Sequence, residues 1–243
     1  MSLTPFRAQA RAELTLMLRN GEQLLLTLGI PVMLLVFFSA VDVLPTGTKD
    51  AVDFLAPGVL ALAVMSTAMV GLGIATGFER KYGVLKRLGS TPLSRPALLA
   101  AKTLTVLVVE VVQVAVLVPI AYALGWHAAW RGWALALLAI ALGTVAFAAI
   151  GLTLAGRLRG EINLAAANGL YLVLLLLGGM IVPLAKLPGP MRTVARLLPS
   201  GALSDALHGA LGAGGQAPSR AWWVLLAWAA TMAIVAARTF RWE

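Results

Sequence analysis

Residues 103–124 read TLTVLVVEVVQVAVLVPIAYAL, an almost unbroken apolar run whose one acidic residue is Glu110. A helix needs roughly 20 such residues to cross the hydrocarbon core of a bilayer, which is about 30 Å thick. A transmembrane β-strand would instead show segments of about 10 residues in which polar and apolar side chains alternate, and this run does not alternate. The stretch therefore predicts a transmembrane α-helix.

Further long apolar runs lie on both sides of this one. Hydrophobic residues make up 60% of the 243 residues and charged residues 12%, and the mean hydropathy is +0.90. These values are far from those of a soluble domain, so an all-α integral membrane protein is predicted. Six transmembrane helices are expected, approximately over residues 24–41, 55–78, 103–124, 133–154, 164–182 and 222–237.

Two segments outside these runs are also expected to be helical. Residues 1–23 mix arginines with Leu and Ala and predict an amphipathic helix at the cytoplasmic surface. Residues 183–221 alternate short amphipathic pieces with prolines, which favours two short re-entrant or interfacial helices before the last span. An extended outer loop is the alternative for that segment. All of these parts belong to a single transmembrane domain, residues 1–243.

The basic residues are unevenly distributed between the two sides of the predicted membrane. If the amino terminus is cytoplasmic, the inside segments hold thirteen basic residues and the outside segments hold six. Positive residues near the ends of transmembrane helices are retained in the cytoplasm, so both termini are predicted to be cytoplasmic. Arg outnumbers Lys 14 to 5 and Ala is abundant, which suggests a bacterial source and hence a bacterial inner membrane. No platform of aromatic and basic residues accompanies the net charge of +9, and no nucleic-acid partner is expected.

Residues 79–102, ERKYGVLKRLGSTPLSRPALLAAK, join the second and third predicted spans and contain six basic residues. In a helical projection Tyr82, Val84 and Leu85 lie on one face and most of the charges lie on the other. The pattern predicts a short amphipathic helix that ends at Gly89. Such a helix could be anchored by anionic lipid at the cytoplasmic surface, or it could bind a cytoplasmic partner.

A family resemblance favours the partner. Glu79, then Tyr-Gly-Val-Leu at 82–85 and Thr-Pro-Leu-Ser at 91–94, resembles the corresponding loop of ABC-2-type permeases, the membrane subunits of ATP-driven exporters. The chain is most similar to the drug- and lipid-exporting branch that includes daunorubicin-resistance permeases, although Val84 stands where the family often has Thr. In that family the loop docks on an ATPase. The resemblance thus implies these ATPase-coupling residues: Glu79, Arg80, Tyr82, Gly83, Val84, Leu85, Lys86, Arg87, Thr91, Pro92 and Leu93.

The nucleotide is expected on another protein. No lysine in the sequence follows a glycine-rich phosphate-binding loop, so there is no Walker A pattern. No cofactor is therefore expected on this chain, and ATP and Mg would bind a separate ABC ATPase subunit. The resemblance further implies a second permease copy or a sister permease, membrane lipid around the pair, and efflux of an amphipathic or hydrophobic cargo such as a drug, lipid or glycolipid.

Glu110 and Gln113 lie three residues apart on one face of the third predicted span. A carboxylate in the middle of a bilayer costs about 2.5–3.5 kcal/mol, so it usually faces the protein interior. One interpretation places the pair on a substrate path together with Asn168 and Tyr171 of the fifth span. The other makes it a structural link that holds the bundle through a hydrogen bond to Asn168 or Tyr171.

Two other functional classes fit the sequence less well. The chain has no cysteine and two separated histidines, His127 and His208, which offer no metal site. Both histidines fall in predicted outside segments, so an intramembrane serine protease would lack its Ser and His pair. A proton-coupled multidrug carrier remains the alternative, with Glu110 as its one deep carboxylate. A transport subunit without its own enzymatic activity is therefore expected.

Overall fold

The computed structural model describes residues 3–41, 51–212 and 214–242, and within those ranges it contains helices and no strand. This confirms the predicted all-α fold. A π-helical segment, Ser66–Gly71, joins the third and fourth helices. The helices are α1 (Leu3–Arg19), α2 (Gly21–Ala40), α3 (Ala51–Met65), α4 (Leu72–Lys81), α5 (Val84–Gly89), α6 (Arg95–Ala123), α7 (Trp133–Ala155), α8 (Gly160–Leu177), α9 (Gly189–Leu197), α10 (Pro199–Leu211) and α11 (Ser219–Thr239).

Within the described ranges, five helical stretches are long and apolar enough to cross a membrane, and they coincide with the second to sixth predicted spans. The first predicted span falls on α2, of which Leu25–Ala40 is a shorter apolar helix, so the total of six stays a prediction. The predicted outer loop over residues 42–50 lies outside the described residues. The five stretches are Ala51–Lys81, Arg95–Ala123, Trp130–Ala155, Gly160–Leu177 and Ser219–Thr239.

Two helix ends differ from the predicted span boundaries by several residues. The fifth span was predicted to reach residue 182, but α8 ends at Leu177, and Gly179 two residues later has a φ of +66°, which is outside the helical region. The third span was predicted to begin at residue 103, and α6 begins earlier, at Arg95. The Ser94 hydroxyl accepts a hydrogen bond from the Ala97 amide at 3.4 Å and caps α6 there.

Helix α7 lies at the centre of the bundle and packs against α4, α10 and α11. Phe147 is completely buried. Glycines allow α4 and α7 to approach closely, because a Cβ atom added at Gly73 would lie 3.0 Å from the Cα of Gly151. Close contact through small residues is a common way to pack helices where lipid provides no hydrophobic driving force.

The segment before α11 contains the two predicted short helices, α9 and α10. Helix α10 is buried in the bundle, where the Ser204 hydroxyl donates a hydrogen bond to the Gly179 carbonyl oxygen at 2.8 Å. His208 Nε2 donates to the Phe54 carbonyl oxygen at 2.9 Å, and burial lowers the pKa of this histidine. The alternative of an extended outer loop is therefore wrong.

A second, smaller core lies at the end of the bundle that carries α1 and α5. Leu85, Leu98, Leu152 and Phe240 are its fully buried members. Phe240 comes just after α11, so the chain beyond that helix folds back onto α5. Trp242 extends this contact, and a Cβ atom added at Gly89 of α5 would lie 3.2 Å from its ring.

Candidate functional site

The chain between α4 and α6 forms a turn, the short helix α5 and a second turn. Gly83 has a φ of +73°, a left-handed conformation that glycine adopts at little steric cost, and this lets the chain turn from α4 into α5. The hydroxyls of Ser90 and Thr91 donate to the carbonyl oxygens of Arg87 and Leu88 at 2.7 and 2.6 Å. These bonds satisfy carbonyl groups left open at the helix end, where the sequence predicted α5 to stop.

The apolar side of α5 is packed against the chain itself. Leu85 is 0% exposed and Leu93 is 7% exposed, and both belong to the cluster that includes Phe240. Both leucines therefore pack inside the chain, and their predicted role in ATPase coupling stays a prediction. A helix as short as α5 is not stable alone, and burial of one leucine contributes about 1.5–3 kcal/mol, so Leu85 holds α5 onto the bundle.

Six of the other predicted coupling residues are exposed, and we call them together the loop face. Tyr82 is 67% exposed and Val84 is 40% exposed. They lie on both sides of Gly83, at the start of α5, and the rest lie on α5 and in the turn after it. The loop face consists of Tyr82, Val84, Lys86, Arg87, Thr91 and Pro92.

A buried ion cluster connects α1, α4 and α6. The Lys102 ammonium lies 2.7 Å from the carboxylate of Glu13 and 2.7 Å from that of Glu79, and the lysine side chain is 1% exposed. A cavity of about 150 Å³ lies beside the cluster. Glu79 pairs with Lys102 inside the chain, and its predicted role in ATPase coupling stays a prediction. The ion cluster instead fixes α1 against the helix that leads into the loop.

Arg80 also has a structural role within the chain, and its predicted role in ATPase coupling stays a prediction. Its Nη1 donates to the carbonyl oxygens of Ala155 and Leu158 at 3.0 and 3.4 Å, at the carboxyl end of α7. Cations are favoured at that end because the helix dipole is negative there. The neighbouring Lys81 pairs with Glu161 in the first turn of α8. The end of α4 is thus fixed to the turn between α7 and α8.

Glu110 has a partner that the sequence did not indicate. Its carboxylate accepts a hydrogen bond from the Thr144 hydroxyl of α7, and its Oε1 is buried without a hydrogen-bond partner. The predicted bond to Asn168 or Tyr171 is wrong, because Asn168 Nδ2 donates to the Leu164 carbonyl oxygen of its own helix at 2.9 Å. Glu110 therefore links α6 to α7.

Gln113 is buried one turn further along α6 but meets different helices. Its Nε2 donates to the Thr27 carbonyl oxygen of α2 at 3.0 Å. Its Oε1 accepts from the Thr67 hydroxyl of the π-helical segment at 3.3 Å. Gln113 thus supports the wall of a cavity on which Thr27 and Thr67 both lie.

This cavity, which we call the polar cavity, has a volume of about 330 Å³ and lies between α2, the π-helical segment and α8. Asn168 and Tyr171 line it, and Glu110 does not, so the residues predicted for one substrate path divide between two places. A π-helical turn in a helix is often found at a functional site. The polar lining residues are Thr27, Ser66, Thr67, Asn168 and Tyr171.

Sequence reasoning missed several buried polar residues. Asn163 of α8 is completely buried, and its Nδ2 donates to the Gly73 carbonyl oxygen of α4 at 2.8 Å. The sequence does not indicate which residue a single Asn, Thr or Glu of a helix will contact. Glu13, for example, is one more polar residue in a predicted amphipathic helix. Over the ranges that the structure describes, no group of His, Asp and Glu side chains could hold a metal ion.

The loop face, the ion cluster and the polar cavity all lie in the part of the chain that matches a known protein family. A profile of the family described as "ABC-2 type transporter" matches residues 4–211. A protein of Bacillus subtilis (strain 168) named "Putative transport permease YvfS" is 30% identical over 198 residues, which are 79% of this chain and 79% of that relative. The matched profile extends from α1 to the end of α10, and so includes the loop face, the ion cluster and the polar cavity.

Proposed function

Since the chain belongs to the ABC-2 type transporter family, we propose that this multi-pass membrane permease exports an amphipathic or hydrophobic substrate, powered by a separate ATPase subunit. The ATPase binds ATP and Mg and docks on the cytoplasmic loop face. A second permease copy or a sister permease completes the pathway. In this proposal both termini lie in the cytoplasm of a bacterial cell, and the cargo is a drug, lipid or glycolipid.

The observation that carries the proposal is the construction of the α5 loop. Two leucines of the loop, Leu85 and Leu93, are buried in the chain, so the loop does not need lipid to cover them. The exposed residues lie on the short helix and the turns beside it. This segment is held by Arg80 before the helix and by the cluster that joins Leu85 to Phe240. A preordered exposed surface loses little entropy on binding, which favours a protein partner.

We expect the double variant Tyr82→Asp/Arg87→Glu to bind the cognate ATPase subunit at least tenfold more weakly, with uncoupled ATP hydrolysis. Both side chains are exposed, so the substitutions should change stability by no more than about 0.5 kcal/mol. The measurement is co-purification of the ATPase with the tagged permease, followed by ATPase and transport assays in proteoliposomes.

The matched control for this experiment is Arg131→Glu, which changes an exposed arginine at the opposite end of the bundle. It should leave ATPase binding unchanged. Full binding by the Tyr82→Asp/Arg87→Glu variant would contradict docking at the loop face. If neutralising Lys86 and Arg87 releases the loop from vesicles while Tyr82→Asp has no effect on ATPase binding, the loop is a lipid anchor instead.

The polar cavity is the proposed substrate path. Hydroxyl, amide and phenol groups lie among apolar side chains there, a composition suited to an amphipathic molecule. On α8 the exposed residues Leu172 and Leu176 continue this surface outward. A second permease placed against α2 and α8 would close the path, which is why we propose that two permeases assemble.

Replacement of Asn168 by Leu should lower transport by about tenfold without lowering thermal stability. Leucine is similar in size to asparagine, so the substitution removes an exposed polar group from the cavity wall and changes the volume of the cavity little. Loss of one hydrogen bond to the cargo costs about 1.4 kcal/mol, which is a factor of ten in binding. Transport of a fluorescent amphipathic cargo in proteoliposomes measures the effect. Leu176→Ala, on the same helix but outside the cavity lining, is the control, and an equal loss in both variants would contradict the path.

A further inference from the structure

An apolar groove of about 500 Å³ runs along the surface between α6, α7 and α11, with Phe6 of α1 at one end. On α6 it extends from Pro96 to Leu107, which is about 16 Å at a rise of 1.5 Å per residue. The hydrocarbon core of a bilayer is about 30 Å thick, so the groove is as long as one leaflet is deep. The polar cavity and the loop face do not share residues with it.

Alanines create the groove, because their methyl groups leave space that larger side chains would fill. Ala100 is exposed in its wall, opposite Ala149 and Ala233. A single acyl chain is much thinner than an α-helix, which is about 10–12 Å across with its side chains, and it can lie along a surface groove of this length.

Positive charge surrounds one end of the groove. Arg7, Arg95 and Arg238 are each the immediate neighbour in sequence of a residue that lines the groove at that end. All three are exposed, and none of their side chains forms a hydrogen bond or an ion pair with the described residues. Three guanidinium groups next to an apolar groove complement a molecule with an anionic head and an apolar tail.

We propose that the groove binds one acyl chain of an anionic phospholipid of the cytoplasmic leaflet, whose phosphate lies among Arg7, Arg95 and Arg238. The leaflet assignment rests on the proposed function, which places this end of the bundle in the cytoplasm. Juxtamembrane arginines attract anionic lipid electrostatically. A lipid bound there contacts α1, α6 and α11 together, and so braces the amino-terminal helix against the bundle.

The test uses the full chain in nanodiscs of equal parts phosphatidylethanolamine and phosphatidylglycerol, followed by gentle extraction and native mass spectrometry. Wild type should retain one phosphatidylglycerol. Arg95→Gln should weaken retention about fivefold, equivalent to about 1 kcal/mol. Ala100→Phe, which fills the groove, should abolish retention. The matched controls Arg131→Gln and Leu138→Phe change exposed residues elsewhere and should retain the lipid like wild type.

Several results would overturn the proposal. If phosphatidylethanolamine is retained as well as phosphatidylglycerol, the arginines do not select an anionic lipid. If Ala100→Phe retains the lipid like wild type, the acyl chain does not lie in the groove. Displacement by glycerophosphoglycerol, a headgroup without acyl chains, would show a phosphate site alone. Loss of permease dimers in the Ala100→Phe variant, with lipid still bound, would make the groove an interface between copies.

The topology is tested separately, so that the two proposals can fail independently. The chain contains no cysteine, so Ser90→Cys introduces a single label site next to α5. A membrane-impermeant maleimide should label it only from the cytoplasmic side. Labelling from the outer side would overturn the proposed orientation and the leaflet, whereas lipid retention is measured without ATP or ATPase and reports on the groove itself.

Discussion

Replacing Lys102 with Met should lower the free energy of unfolding by about 3–5 kcal/mol, because it leaves the carboxylates of Glu13 and Glu79 facing each other without a cation. Methionine keeps most of the lysine volume, so the loss reports on charge rather than on a cavity. Unfolding in mixed detergent and dodecyl sulfate micelles measures it. Helix α1 should also become accessible to protease, since the ion cluster fixes it to α4 and α6.

Two further variants separate this effect from a general loss of charge. Lys81→Met removes a lysine from the Lys81–Glu161 pair, whose side chains are 41% and 65% exposed, and it should change stability little. Adding Glu13→Gln and Glu79→Gln to Lys102→Met removes the uncompensated charges and should recover much of the loss. Equal effects of Lys102→Met and Lys81→Met would contradict a structural role for the ion cluster.

Gly58→Ala should destabilise the protein by about 1–3 kcal/mol or more. The added Cβ would lie 1.9 Å from the Met180 carbonyl oxygen, which belongs to backbone and cannot rotate away. Gly169→Ala is the matched control, since nothing lies within 4 Å of its added Cβ. The control replaces a helical glycine by alanine and should stabilise α8 by up to about 1 kcal/mol. Thermal unfolding of both variants measures the difference, and equal stability would refute the close contact.

The predicted and observed folds agree where a long apolar run decides the structure. Such a run has one stable arrangement in lipid, a helix that satisfies its own backbone hydrogen bonds. The boundaries were harder to predict because they depend on single residues, such as the left-handed Gly179 that follows α8 and the Ser94 cap of α6. A hydropathy average over many residues does not detect such single-residue features.

The candidate site was predictable in position but not in orientation. The sequence indicated the loop and its helix correctly, but an amphipathic pattern does not say whether the apolar side faces a partner or the chain itself. Leu85 is buried because Phe240 returns to it from far along the sequence. Glu79 and Lys102 lie in the same predicted segment, yet their pairing depends on α6 beginning early enough to carry the lysine back towards α4.

The packing of Phe240 on α5 has a consequence for biosynthesis. Ribosomes make α5 early, but the aromatic side chain that completes its support is made only after all of α11 has been synthesised. Until then the loop lacks part of its core and leaves its leucines exposed. A nascent or truncated permease that lacks Phe240 would therefore offer chaperones and proteases a hydrophobic loop, and the loop would reach its final shape only after Phe240 has packed against it.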